Sequence, residues 1–304
     1  MKTGLFSILL VLLLPGWMSA QRARFINFSS RDGLHEKAIY HVVQDNQGYL
    51  WLGTVTGLYR YDGHEFRHVD SPQNRPESTI NNILNATGID DRGYLWLGSA
   101  NALQWYDPIH HRFWSGNTQD PAFRKVMNSG MINIKPGKAS TMLIATLRDC
   151  FFVYNRTDSS IQHFHHYPPT ASKATFNVFF TRGGYLAIHQ EGLYQFDQNG
   201  RLMGIFASPV SDITNGLLDE ATHSLWLTTY TRGIVRFDLD TREFEANFYA
   251  NSELKKHHLF CLTKTADGGF YLGGYPLHYV HPEKKFTTTI KSRILMNMIF
   301  PQIK

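Results

Sequence analysis

Carboxylates and histidines are the first places to look for chemistry in this chain. Asp32, Glu36, Asp149 and Glu191 stand on loop positions that recur nowhere else along it. Two such groups facing each other across a cleft would serve as acid and base in glycoside or lyase chemistry. Solvated loop charges account for the same residues, and no catalytic residue is assigned. His163, His165 and His166 cluster, and His110-His111 and His257-His258 form pairs. His163 and His165 would share a face of an outer strand, as a chelating pair does. No Cys or carboxylate stands beside them to complete a site, so neither a metal nor a cofactor is expected.

The remaining aspartates behave differently. Asp45, Asp91, Asp219 and Asp267 recur at one turn, and Asp62, Asp107, Asp197 and Asp238 at another. A catalytic group acts once, whereas a residue repeated along the chain serves the repeat, here through turn hydrogen bonds. The repeat itself is plain. Asp45-Asn46-Gln47-Gly48-Tyr49-Leu50-Trp51-Leu52-Gly53-Thr54 is followed by Gly57-Leu58-Tyr59-Arg60-Tyr61-Asp62. Then Asp91-Arg92-Gly93-Tyr94-Leu95-Trp96-Leu97-Gly98-Ser99 is followed by Ala102-Leu103-Gln104-Trp105-Tyr106-Asp107. Trp51 and Trp96 are 45 positions apart, and weaker copies put Leu143, Ala187, Trp226 and Tyr271 at the same place. Strand-type units at a period in the forties predict an all-β fold, a β-propeller of four-stranded antiparallel blades.

In the first copy Ile39–Gln44 is the inner strand, Tyr49–Thr54 the second, Gly57–Tyr61 the third and Glu65–Val69 the outer one. The second strand is apolar throughout because neighbouring blades cover both of its faces. Trp51, Trp96 and Trp226 should fill the space between blades, and Gly53 and Gly98 should admit a close backbone approach. Outer strands recur at Phe66, Phe113, Phe164, Phe206, Phe244 and Phe286. The blades span about 25–70, 71–116, 117–167, 168–207, 208–250 and 251–290. Phe25–Phe28 reads as an extra outer strand, and 291–304, with Ile294–Ile299, as the start of a seventh blade. The expected architecture is therefore six readable blades of an incomplete seven-bladed ring, with six closed blades as the alternative.

Loops between second and third strands, with those entering each inner strand, converge on one mouth of such a ring, where ligands bind. They offer Arg31, Asp32, His35, Arg148, Asp149, Tyr230, Arg232 and Tyr275 as ligand-binding candidates. Aromatic rings there would stack on sugar faces, and Arg or Asp groups would hydrogen-bond hydroxyls. Cys150 and Cys261 fall three blades apart, beyond the roughly 7 Å reach of a disulfide, and are expected to be buried thiols.

At the N-terminus, Lys2, the apolar run Leu5–Leu14 and Met18-Ser19-Ala20 read as a secretory signal peptide over residues 1–20. A run of that length is too short to span a bilayer, which takes about 20 residues. Fourteen per cent aromatic residues and 24 glycines suit a β-rich fold with many turns. The net charge of +5 comes from scattered Lys and Arg, which, with export, excludes a nucleic-acid partner.

The string Phe28-Ser29-Ser30-Arg31-Asp32-Gly33-Leu34, with Val42-Val43-Gln44-Asp45, Gly48–Thr54 and Gly57–Gly63, resembles the two-component regulator propeller repeat. The match is close over residues 25–107 and looser to 290. The resemblance implies the periplasmic sensor region of a hybrid two-component histidine kinase, many of which respond to oligosaccharides. Kinase activity would belong to a C-terminal region that these 304 residues do not contain. The function expected is non-enzymatic sensing of a small molecule or oligosaccharide, with a second copy or a membrane signalling protein as partner. An exported propeller enzyme acting on polysaccharide and a protein-binding scaffold are the alternatives.

Overall fold

Four consecutive strands, inner to outer, make each of six antiparallel sheets. The computed structural model describes residues 26, 28–36, 38–69, 83–165, 174–245, 254, 257–274, 276–282 and 286–290. The first blade comprises β1 (Ile39–Gln44), β2 (Leu50–Thr54), β3 (Gly57–Tyr61) and β4 (Phe66–His68). The second holds β5 (Ala86–Ile89), β6 (Leu95–Gly98), β7 (Leu103–Asp107) and β8 (Arg112–Ser115). The third holds β9 (Met131–Pro136), β10 (Thr141–Thr146), β11 (Phe151–Asn155) and β12 (Ile161–Phe164). In the fourth are β13 (Thr175–Thr181), β14 (Gly184–His189), β15 (Gly192–Phe196) and β16 (Leu202–Ala207). The fifth holds β17 (Ile213–Asp219), β18 (Ser224–Thr229), β19 (Ile234–Asp238) and β20 (Glu243–Glu245). The sixth holds β21 (Leu259–Lys264), β22 (Phe270–Gly274), β23 (Leu277–His281) and β24 (Phe286–Ile290). The fold is a six-bladed β-propeller. Residues 1–25 and 291–304, with the expected signal peptide and seventh blade, lie outside the described residues.

Inner strands of successive blades pack in chain order from β1 to β21. Between each such pair lies one apolar cluster, and the second strands supply both of its walls. Trp51 with Leu58 meets Leu84, Leu95, Leu97 and Tyr106 between blades one and two. Trp96 meets Met142, Ile144, Phe152 and Tyr154 between blades two and three. Trp226 meets Leu259, Phe270 and Leu272 between blades five and six. The three indoles are 1%, 1% and 4% exposed. Each removes on the order of 200 Å² from water, about 5 kcal/mol gross at 25 cal/mol/Å². The close approach at the glycines is equally direct: a Cβ on Gly53 would lie 2.5 Å from Thr87 Oγ1, and one on Gly98 2.8 Å from Ile134 Cδ1.

Three expectations are corrected. Ala187 does not occupy the Trp51 place. Trp51 pairs across the sheet with Arg60 and Trp226 with Arg236, and the residue that pairs with the corresponding Gln195 is Leu186. Leu186 faces blade five, whereas Ala187 faces back to blade three. Likewise Asp90, not Asp91, is the turn aspartate of blade two. Asp45 accepts from the backbone N–H of Gln47 and Tyr49 and from Trp51 Nε1 at 2.8 Å. Asp90 accepts from Arg92 N, Tyr94 N and Trp96 Nε1 at 3.2 Å. Asp219 and Asp267 cap their own turns through Ala221 N and Gly269 N.

The third correction concerns the N-terminal segment. Ile26 and Phe28 belong to no strand, and Phe25 lies outside the described residues. Blade six has its own outer strand, so it needs no donated one. Phe28 instead sets its ring edge-on against Tyr61 and Phe66, each at 5.0 Å. With Leu34 it covers the face of blade one that points away from blade two. A helix the repeat does not foretell, Pro121–Asn128, links blades two and three; Asp120 caps it, and it buries Phe123 and Val126.

The second aspartate series falls as expected. Asp62, Asp107, Asp197 and Asp238 each accept two backbone N–H groups of the turn that follows. Cys150 and Cys261 are buried in blades three and six and are not joined by a disulfide. Burial pushes the Cys261 thiol up to about 12.

Candidate functional site

The nominated loop residues that are described share one end of the propeller, where the chain enters each inner strand, and the contacts of most of them are local to each blade. Ser29 and Asp32 cap a short 3-10 helix, Ser30–Asp32. Asp32 accepts from Ser29 N at 2.7 Å, and Ser29 Oγ accepts from Arg31 N. The Asp32 carboxylate is thus committed to a turn, while Arg31 and His35 are exposed beside it. Arg148 donates from Nη1 to the Asn128 carbonyl at 2.8 Å, pinning the end of the interblade helix. Asp149 accepts from Ser129 Oγ at 2.9 Å, with Lys125 Nζ at 3.8 Å. Glu36 accepts from Thr56 Oγ1 at 2.6 Å. These carboxylates hold loops in place.

Tyr230 is in a different situation. Its loop is fixed by Asp212, whose carbonyl accepts from Tyr230 N and whose carboxylate accepts from Thr231 N. Thr229 Oγ1 accepts from Arg232 N at 2.9 Å, leaving the Arg232 side chain exposed. So anchored, the Tyr230 ring stacks on His258 with centroids 3.8 Å apart and planes 11° from parallel. Phe260 stands edge-on at 5.8 Å. Tyr230 and Phe260 are large apolar groups left exposed. Phe260 points there because the β21 register shifts between Leu259 and Cys261, a bulge that re-aims the side chain. Tyr275 lies outside the described residues.

Among the inner strands, polar contacts link one blade to another. His41 donates from Nε2 to the Ile132 carbonyl at 3.0 Å, joining blade one to blade three. Thr214 Oγ1 donates to the Leu259 carbonyl at 2.6 Å, and Asn177 Nδ2 to Asn215 Oδ1 at 3.2 Å. Burial holds the His41 imidazole below its usual range, and Lys135, half-buried over the Phe179 ring, well below its own. His163 and His165 do share a face and stack at 4.8 Å. Among the described residues, no group of three or more His, Cys, Asp or Glu is placed to hold a metal ion. No helix among them is long and apolar enough to cross a membrane.

A second concave site was not nominated from the sequence. It lies at the opposite end, between the outer halves of blades two and three, with a volume of about 250 Å³. Trp96, Trp105 and Trp114 pair directly across β6, β7 and β8, so three indoles form one row on one face. Trp96 and Trp105 stack at 5.1 Å, and Tyr154 meets Trp96 edge-on at 5.1 Å. Trp114 stacks on Tyr94 at 5.7 Å, and the Arg92 guanidinium caps Tyr94 at 4.8 Å. Arg156, with its side chain 5% exposed, donates from Nη1 to Asp90 at 3.0 Å and to Asp91 at 2.7 Å. Knowing the cross-strand register would have exposed this row, because residues 96, 105 and 114 are equivalent places on successive strands.

Comparison with known proteins agrees with this architecture. Residues 33–56 match the two component regulator propeller family. Over 78 residues, a quarter of this chain, it is 36% identical to Histidine kinase P4 of Formosa agariphila, of which that stretch is 6%. The extracellular domain of a hybrid two component system from B. thetaiotaomicron superposes with a TM-score of 0.73 at 19% identity, over 88% of this chain and 36% of that one. Virginiamycin B lyase from Staphylococcus aureus superposes at 0.64 and 12% identity, over 85% and 86% of the two chains. The chain thus spans little more than a third of the extracellular domain it resembles in fold. The fold is a β-propeller, and over these stretches the chain is similar to the two component regulator propeller family and to a histidine kinase.

Proposed function

We propose that this chain is a non-enzymatic sensing propeller of a two-component system, acting outside the cytoplasm, and that it binds an oligosaccharide at Tyr230, His258 and Phe260. The observation that carries the reading is the exposed, rigidly anchored stack of Tyr230 on His258 with Phe260 at its edge. Flat aromatic surface held open to water suits the C–H face of a sugar ring, and Arg232 beside it supplies donors for hydroxyls. Three of the four non-repeating carboxylates are engaged in loop contacts: Asp32 in a helix cap, Asp149 with Ser129 and Glu36 with Thr56. Occupancy of the rim would be relayed to a second copy or to a membrane signalling protein that carries the output.

Isothermal titration calorimetry against a panel of plant, algal and host oligosaccharides tests this directly. Tyr230→Ala and Phe260→Ala should each weaken the binding of a responding glycan about 2- to 10-fold, the range of one aromatic contact. Reducing-sugar release by the pure protein, lost in Asp149→Asn or Asp32→Asn, would replace this reading with an enzyme.

A further inference from the structure

We infer that the cleft between the second and third blades is a separate binding site for a single uncharged pyranose ring. It faces away from the Tyr230 rim, being built from the β5–β6 turn, the outer strands and the β11–β12 turn. Its apolar wall is the indole row, which grades outward from buried Trp96 through half-buried Trp105 to Trp114, 37% exposed. A propeller packs its large aromatics between blades. Leaving two indoles of one row on an open cleft costs burial that a stacking ligand would restore.

The polar wall narrows the ligand class. Arg156 is held by Asp90 and Asp91 through Nη1 and by the Ser140 carbonyl through Nε. Its side chain is 5% exposed and lines the cleft, where its remaining guanidinium N–H groups are available as donors. Ser159, exposed on the same lining, offers a hydroxyl that can accept. A guanidinium donor and a hydroxyl on the lining of an aromatic platform suit the hydroxyls of a ring whose C–H face lies on the indoles. An arene would leave both polar groups unused. An anion gains little, because Asp90 and Asp91 offset the charges of Arg92 and Arg156. The volume of about 250 Å³ accommodates one such ring.

The inference shares only its ligand class with the proposed function, and the two fail separately. Saturation-transfer-difference NMR on the full chain, with methyl β-glucopyranoside, methyl α-mannopyranoside and methyl β-galactopyranoside as probes, is the test. Sorbitol and indole serve as the acyclic and aromatic controls. At least one pyranoside should receive saturation at millimolar concentration. In a Tyr230→Ala background, which disables the rim, saturation should persist; there Trp114→Ala should weaken it about 5-fold or more and Trp114→Phe should retain most of it. Matching thermal melts would establish that the Trp114 variants are folded. Failure of all three pyranosides to bind, binding indifferent to Trp114→Ala, or binding of indole in preference to every sugar would each overturn the assignment. Loss of binding in Tyr230→Ala alone would locate the sugar at the rim and overturn it too.

Discussion

Asp45 and Asp90 each do two things with one carboxylate: they close a turn and hold the indole six residues on. The spacing works because the turn reverses the chain and brings the second strand back beside the aspartate. Asp45→Ala strands the Trp51 N–H and two turn amides, and should lower stability by about 1–3 kcal/mol in urea titration. Asp62→Ala, at an exposed turn, should cost less than about 1 kcal/mol. Asp267 gives the clearest pH signature. Hydrogen bonds from Thr265 and Tyr279 hold its carboxyl down at about 2, from 3.8. A depressed acid stabilises the fold above its unfolded value and loses that contribution as pH falls through the folded one. The melting-temperature gap between the wild type and Asp267→Asn should therefore be full at pH 6 and should close between about pH 4 and pH 2.

At the scale of the strand, register decides which blade a side chain serves. One residue of slip sends Ala187 to blade three and Leu186 to blade five, because side chains alternate with a period of two. The slip was invisible in the sequence: the fourth copy has lost its tryptophan, and its turn is shorter, so counting from the turn misplaces the strand. Gln195, at the Arg60 place, carries the information that resolves it. Trp96→Ala should cost about 3–5 kcal/mol and Leu186→Ala about 2–5, as large-to-small changes in a packed core do. Gly53→Ala drives a Cβ into Thr87 and should cost about 1–3 kcal/mol. Gly204→Ala, whose nearest atom would be 3.7 Å away, is the control expected to change little.

At the scale of the whole propeller, blades are bound mainly by apolar clusters, with ion pairs between some neighbours. Lys264 bridges blade six to Asp219 of blade five, with both contacts at 2.7 Å, as Arg156 bridges blade three to blade two. Arg156→Ala would leave buried Asp90 with only the half-exposed Arg92 as counter-charge and should destabilise by about 1–3 kcal/mol. Both thiols are enclosed by this packing, and the Cys261 thiol is pushed up to about 12, which suppresses thiolate at neutral pH. Ellman titration should find two reactive thiols in guanidinium and close to none in buffer; rapid reaction in buffer would mean that blades three and six open readily.

What the sequence determined by itself was the repeat and therefore the blade, since turn aspartates, β-rich runs and interblade tryptophans are local signals that return every forty-odd residues. It also showed that most aspartates are structural, because they recur. Tertiary structure alone decided which exposed residues meet. Tyr230 reaches His258 and Phe260 only because blades five and six pack side by side, and the indole row opens on a cleft only because Arg156 of blade three closes its far side. Repeats report contacts within a blade, where partners are a fixed number of residues apart. A site between blades depends on which residues have departed from the repeat, and where two such departures face each other only the packed ring can say.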